Sequence, residues 1–339
     1  MTKYTTIYLQ CRIFKIEFMK SIITQITALA VLVCGCNSVN SQENQEPTKT
    51  DTKMMTITLN NDVQMPQFGL GLYMLADGDE TYNSVRTALD NGYRHFDCAH
   101  AYRNERSLGR AIKDSDVPRD SIWVTSKLWP NEYGEGKTLK AIDRMLGRLG
   151  LEYIDLVYFH QPMGDFIGGW KEMEKALEIG KVRAVGISNF DVSDQIFDSL
   201  VNSAKVKPQI IQIECHPYAQ RKYWQQRCAE AGIQIECWFP LGGRESKGEI
   251  LRDSTINAIA RNHGKSAAQI IIRWHLQEGF SVIPGTSNPD YIKENIDVFD
   301  FNLTDEEMQK IRALDKERRY FNMPYEEQVK WFSQWNPTD

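Results

Sequence analysis

The feature of this 339-residue chain that most limits its fold is a change of hydrophobic period repeated from Met54 onward. Short runs rich in β-branched and aromatic residues recur at 67–73, 93–99, 121–128, 154–160, 182–188, 209–214, 233–239 and 280–284. Between them, at 81–91, 137–149, 170–179, 193–203, 221–231 and 267–277, apolar side chains take helical spacing. A period of two alternating with one of about 3.6 specifies parallel strands joined by crossover helices. About eight such units in an unbroken series suit a closed (β/α)8 barrel. The open competitor, a doubly wound sheet, wants a glycine-rich dinucleotide turn after its first strand. That strand reads Phe68-Gly69-Leu70-Gly71-Leu72-Tyr73, with no third glycine and no acidic partner nearby. The expectation is therefore an α/β TIM barrel over 54–316 with a C-terminal tail at 317–339. A short β-hairpin precedes the barrel, Met55–Leu59 and Val63–Met65, joined through Asn60, Asn61 and Asp62.

A barrel of this kind keeps its chemistry at the C-terminal ends of its strands. The second strand ends at Asp97 with Tyr102 one turn on, the third at Lys127 and the fourth at His160. A carboxylate, a phenol, an ammonium and an imidazole thus reach one rim. Taken singly, each has an ordinary use: a loop tyrosine, a solvated lysine, a helix-capping aspartate, a structural histidine. Together they suit proton donation at neutral pH. Tyrosine titrates near 10, and an adjacent ammonium favours the phenolate, so Lys127 is expected to lower the Tyr102 pKa towards that of a working general acid. Asp97 would keep Lys127 ionised and oriented, and His160 would donate to or polarise a substrate oxygen. A Schiff-base role for Lys127 is the chemical rival, and Asp97 argues against it.

The words around these residues carry more. Gly92-Tyr93-Arg94-His95-Phe96-Asp97-Cys98-Ala99-His100-Ala101-Tyr102-Arg103-Asn104-Glu105 resembles the first signature of the aldo-keto reductases. Leu151-Glu152-Tyr153-Ile154-Asp155-Leu156 through His160-Gln161-Pro162 resembles the second, and Lys127 lies in Thr125-Ser126-Lys127-Leu128-Trp129. Val185 to Phe190, Gln212 to Tyr218 and Ile283-Pro284 through Glu294-Asn295 continue the likeness, which covers about Met55 to Lys316. The resemblance, which includes bacterial diketogluconate-type reductases, implies NAD(P)H-dependent reduction of a small-molecule aldehyde or ketone. Tyr102 would be the acid, Asp97 and Lys127 its modulators, His160 the orienting group, and Trp129 with His160 the substrate contacts. It also implies that Ser188, Asn189 and Gln212 hold the nicotinamide carboxamide and that Trp238 stacks on the ring. Pro240, Leu241 and Gly242 would lie under the pyrophosphate, and Thr286, Glu294 and Asn295 near the adenosine. Where the family's NADPH users carry cations for the 2′-phosphate, this chain has Gly285-Thr286 and Tyr291. NADP and NAD are thus both expected cofactors.

A net charge of −5 without a Lys/Arg cluster argues against a nucleic-acid partner. No Cys or His spacing matches a metal site, and Cys98, Cys215, Cys228 and Cys237 read as small core residues. The apolar stretch Ile22 to Val33 is too short to span a bilayer, for which about 20 residues are needed. Between Lys20 and Val33-Cys34-Gly35-Cys36 it has the layout of a secretory signal, and its Gly-Cys end resembles a bacterial lipoprotein signal read from Met19, with Cys36 as the lipid anchor. Residues 1–36 are then a leader and 37–53, poor in apolar side chains, a flexible tether. The expected state is a monomer facing the periplasm and touching membrane only through that anchor, with a cytoplasmic protein as the alternative. Nicotinamide cofactors are scarce outside the cytoplasm. That motivates a second functional reading, a catalytically silent cofactor-binding barrel acting as a tethered sensor or scaffold. Short segments after the fourth strand (161–170) and the seventh (242–250) predict an open pocket, which the tail, with Phe321, Tyr325, Trp331, Phe332 and Trp335, either walls or leaves to pack on the barrel.

Overall fold

The computed structural model describes residues 55–337. The leader with Cys36 and the tether lie outside the described residues. The chain enters through the expected antiparallel hairpin, β1 (Thr56–Thr58) and β2 (Gln64–Pro66), with Ile57 opposite Met65. Leu59 and Met65 are buried against Trp123, Leu156, Ala184 and Ile210 near the strand starts, so the hairpin plugs that end of the sheet.

Eight parallel strands follow: β3 (Leu70–Gly71), β4 (His95–Asp97), β5 (Trp123–Leu128), β6 (Ile154–Phe159), β7 (Val182–Ser188), β8 (Ile210–Glu214), β9 (Gln234–Trp238) and β10 (Ser281–Val282), paired in chain order. All eight fall inside the apolar runs of the sequence. The sheet closes where Phe68 bridges Val282, with Gly69 N donating to Val282 O at 3.0 Å and Val282 N to Gln67 O at 2.9 Å. Outward-facing residues such as Phe96, Val124, Val157, Ile211, Ile213 and Cys237 join the helices in one large core. The alternate, inward positions carry Asp97, Lys127, Tyr158, Gln212 and Glu236, and every one of these is buried.

The helices are α1 (Asp79–Asp90), α2 (Glu105–Lys113), α3 (Thr138–Leu149), α4 (Phe166–Glu178), α5 (Asp194–Ser203), α6 (Lys222–Ala231), α7 (Ser254–His263), α8 (Ala267–Gln277), α9 (Pro289–Ile296), α10 (Asp305–Arg312) and α11 (Tyr325–Phe332). Helix α8 starts on a capping box, Ser266 with Gln269, and α10 on another, Thr304 with Glu307. Helix α2 is absent from the periodicity reading, and Gly109 within it weakens helix propensity. The glycine is needed, because a Cβ there would stand 1.8 Å from the Leu149 carbonyl oxygen at the end of α3. Among the described residues no helix is long and apolar enough to cross a membrane.

Candidate active site

The four residues singled out by strand position meet at the C-terminal rim. Lys127, fully buried on β5, donates from Nζ to Asp97 Oδ1 on β4 and to the Cys98 carbonyl at 3.1 Å. Its Nζ also lies 4.8 Å from the centre of the Tyr102 ring. The Tyr102 and His160 rings stand 5.5 Å apart at 81°, and His160 in turn meets Trp129 edge-on at 5.2 Å. Asp97, Tyr102, Trp129 and His160 all line one cavity of ≈ 990 Å³, while Lys127 lies behind it.

Burial sets the protonation states. It raises the Asp97 carboxyl above its ordinary value, against the pull of Lys127. By itself it would lower Lys127, but Asp97 and Tyr102 outweigh it and the ammonium is held firmly charged. His160 is driven well below its usual range by burial and then by Lys127, so it is neutral at physiological pH. The sequence reading of Tyr102 is corrected here. Desolvation of the phenolate outweighs the Lys127 charge, and the pKa goes up rather than down. The phenol therefore stands fully protonated at neutral pH, loaded as a donor, and the ammonium limits the cost of giving its proton up.

Ser188, Gln212 and Glu236 sit side by side in register on β7, β8 and β9. Gln212 spends both amide hydrogens inward, on Asp97 Oδ2 at 2.8 Å and Glu236 Oε2 at 2.6 Å. Asn189, at φ +65°, spends both of its own on the His160 carbonyl at 3.0 Å and Ser188 Oγ at 3.2 Å. Its Oδ1 is buried with no partner among the described residues. The amide oxygens of Gln212 and Asn189 and the Ser188 hydroxyl hydrogen are left uncommitted, on three residues that line the cavity. That is the complement of a primary carboxamide, whose N–H pair needs two acceptors and whose oxygen needs a donor. The residues present therefore fit a nicotinamide. Trp238, Pro240, Leu241 and Thr286 line the same cavity, as does Arg244. Gly242 does not: it holds a turn at φ +86°, packed on Ser246. Glu294 and Asn295 lie on α9 outside the cavity lining, with Asn295 buried.

The tail walls the pocket. Tyr320 N donates to Glu214 Oε1 at 2.6 Å, Tyr325 Oη to the Pro162 carbonyl at 2.6 Å, and Trp129 Nε1 to the carbonyls of Phe332 at 3.1 Å and Trp335 at 2.8 Å. Phe321, Trp331, Phe332 and Trp335 thereby line the cavity that short loops alone would leave open. Two features escaped the sequence. One is Glu236, which no motif marks. The other is a buried trio, Cys215, Cys237 and His275, whose ligand-type atoms come within 4.8 Å of one another. Cys237 and His275 beside it lower the Cys215 thiol from its ordinary value, against the effect of burial. Spacing along the chain could not reveal the trio, because β9, α8 and the residue after β8 each supply one member.

Compared with known proteins, residues 67–316 match the aldo/keto reductase family model. The chain is 45% identical over 264 residues to the 9,11-endoperoxide prostaglandin H2 reductase of Trypanosoma cruzi, covering 78% of this chain and 92% of that protein. It is 42% identical over 265 residues to the glyoxal reductase of Bacillus subtilis, covering 78% and 94%. A Bombyx mori aldo-keto reductase crystallised with NADP superposes with a TM-score of 0.75 at 30% identity, over 82% of this chain and 97% of that one. Strand order, the buried Asp97–Lys127 pair, the carboxamide-shaped rim and these likenesses agree: the chain belongs to the aldo-keto reductase family and is an NAD(P)H-dependent oxidoreductase.

Proposed function

We propose that the protein reduces an aldehyde or ketone to an alcohol with Tyr102 as the proton donor. A bound reduced nicotinamide supplies the hydride. Ser188, Asn189 and Gln212 orient the carboxamide, and Trp238 covers the ring. The Tyr102 hydroxyl gives its proton to the carbonyl oxygen, Lys127 stabilises the phenolate left behind, and Asp97 keeps Lys127 in place. Neutral His160 donates an N–H to the same oxygen, which fixes the carbonyl's orientation. The observation that carries this reading is the Tyr102–His160 pair at the cavity wall with a buried ammonium directly behind it. Trp129, Phe332 and Trp335 then favour an apolar substituent on the carbonyl. The relatives' names span a dicarbonyl and a cyclic endoperoxide, so the choice of substrate belongs to these walls rather than to the four acid–base residues. A panel of aliphatic, aromatic and dicarbonyl compounds with NADPH and NADH, followed by loss of reduced-nicotinamide absorbance, tests it. Turnover with apolar aldehydes is expected, and tight NADPH binding with no turnover on any carbonyl would favour the silent sensor.

We also infer that the protein is carried at a membrane through Cys36. The layout of Lys20, the apolar stretch and the Gly35-Cys36 end supports this. A multiply acylated cysteine anchors stably where a single chain does not, so protein expressed from Met19 should partition with membranes and Cys36→Ser should stay unprocessed or be released. Recovery of the wild type wholly in the soluble fraction with its leader intact would end this reading.

A further inference from the structure

We propose that Glu236 is a positioning residue for the cofactor, acting through Gln212 to fix which end of that amide faces the nicotinamide carboxamide. The proposal rests on the assignment of Gln212 to the cofactor made above. Glu236 is fully buried on β9 in the barrel interior. Its Oε2 accepts from Gln212 Nε2 at 2.6 Å and Tyr158 Oη at 3.0 Å, and its Oε1 from Ser281 Oγ at 2.9 Å, with His95 Nε2 at 3.6 Å. Ser188, Gln212, Glu236 and Ser281 form one row across four neighbouring strands. Gly186 shapes the space: a Cβ there would lie 2.4 Å from the Tyr158 ring, so its absence lets that ring fill the barrel interior and its hydroxyl reach Glu236.

A second buried carboxylate near a single ammonium, Lys127, is a costly choice for a barrel interior, since packed apolar side chains usually serve stability as well or better. Its use lies in what it does to Gln212. An amide flips readily unless its neighbours distinguish oxygen from nitrogen. Asp97 alone occupies one N–H and leaves the other free to swing. With Glu236 as a second acceptor at 2.6 Å, both hydrogens are fixed inward, and a flip would press Oε1 against two carboxylates. Gln212, which lines the cavity, thereby keeps Oε1 as its acceptor, as Asn189 keeps its unpartnered Oδ1. The pair of acceptors then accepts the carboxamide N–H₂ in one orientation, which decides the ring face shown to the substrate.

The test uses the whole chain with Glu236→Leu, Glu236→Met and Glu236→Gln, read by NADPH dissociation constants from quenching of intrinsic tryptophan fluorescence. Transfer from NADPH deuterated on one or the other face of C4 reports the face used. Leu and Met remove the second acceptor, and losing a hydrogen bond to a charged group should raise the NADPH Kd about tenfold and let deuterium transfer leak between faces. The amide oxygen introduced by Glu236→Gln can still accept from Gln212 and Tyr158, so that variant should stay within about threefold and keep single-face transfer. Folded Leu or Met variants that bind NADPH within about twofold and transfer from one face overturn the proposal. So does a tenfold loss in the Gln variant, and so does failure of both Leu and Met to fold while Gln folds, which assigns Glu236 to structure alone. Gln212→Leu separates the two readings. If it leaves NADPH affinity intact, the cofactor assignment itself fails; if it weakens binding where Glu236→Leu does not, only the role of Glu236 is lost.

Discussion

The two ends of the cofactor groove are built on opposite principles. At the reacting end Asp97, Lys127, Gln212 and Glu236 are at most 2% exposed, and each is held by others of the set. At the proposed adenosine end Gly285 and Arg244 are exposed and Tyr291 is 56% exposed. In the dry interior a charge or a hydrogen bond counts for several times what it does in water, and an unpaired one is costly. The reacting end therefore tolerates few substitutions. At the solvent-facing end the same contacts are screened, and cofactor choice can drift without endangering the fold.

The strongest challenge to this contrast is Tyr102→Phe. The ring keeps its contacts with His160 and Lys127 while the proton donor is removed. Carbonyl reduction should fall about 100-fold to 10,000-fold, with the NADPH Kd changed by less than about threefold. Steady-state kinetics and fluorescence titration measure both. Turnover within a few fold of wild type would mean that the buried end is not where the proton comes from.

Burial also predicts a pH signature. His95 is pushed down to about 4, chiefly by desolvation, against about 6.5 in the unfolded chain. Between those values the unfolded chain binds a proton that the folded barrel refuses. Stability from this group is therefore complete above about pH 6.5 and is lost as pH falls towards 4. The gap between the two values corresponds to about 3 kcal/mol. His160 shifts in the same direction, while the raised Asp97 and Glu236 oppose both. Urea midpoints from pH 7 to pH 4 for wild type and His95→Gln isolate the His95 share. The variant should lose less stability on acidification, and parallel curves would remove His95 from the account.

The contrast also explains what could be seen in the sequence. The eight strands were legible because buried parallel strands read as β-rich runs, and Asp97, Tyr102, Lys127 and His160 were legible because each sits at or just past such a run. The sign of the Tyr102 shift was not, since it depends on how much water surrounds the phenol, a property of packing. Glu236 was invisible for a different reason: its meaning comes from lying opposite Gln212 in strand register. Along the chain it is one acid in Ile235-Glu236-Cys237. The tail's aromatic residues were seen, but their seating depends on the Glu214 carboxylate and on Trp129 Nε1, contacts that sequence distance hides. Helix α2 was missed because Gly109 serves its contact with α3 rather than its own propensity.

The smallest expected effect lies at the open end and concerns the 2′-phosphate. Cationic, bidentate contacts distinguish NADPH from NADH, and Gly285 and Tyr291 offer an amide and one neutral hydroxyl. The unmodified protein should bind the two cofactors within about tenfold of each other. Tyr291→Arg, on the exposed face of α9, should shift the ratio of dissociation constants towards NADPH by up to about tenfold, less at high salt because the site is screened. Gly285→Lys is the worse route. A Cβ at Gly285 would stand 2.9 Å from the Gly71 carbonyl oxygen, and one at Gly71 would stand 2.8 Å from that of Ile283. The end of β3 and the segment after β10 thus pack backbone against backbone where the barrel closes. A lysine there must move backbone before it reaches a phosphate, so its thermal midpoint should drop while that of Tyr291→Arg does not. Arg244 lines the cavity and is exposed, within the loop after β9. If wild-type protein binds NADPH more than tenfold tighter than NADH and Arg244→Ala abolishes the difference, the open end has its own cation after all, and the contrast with the buried end must be redrawn around Arg244.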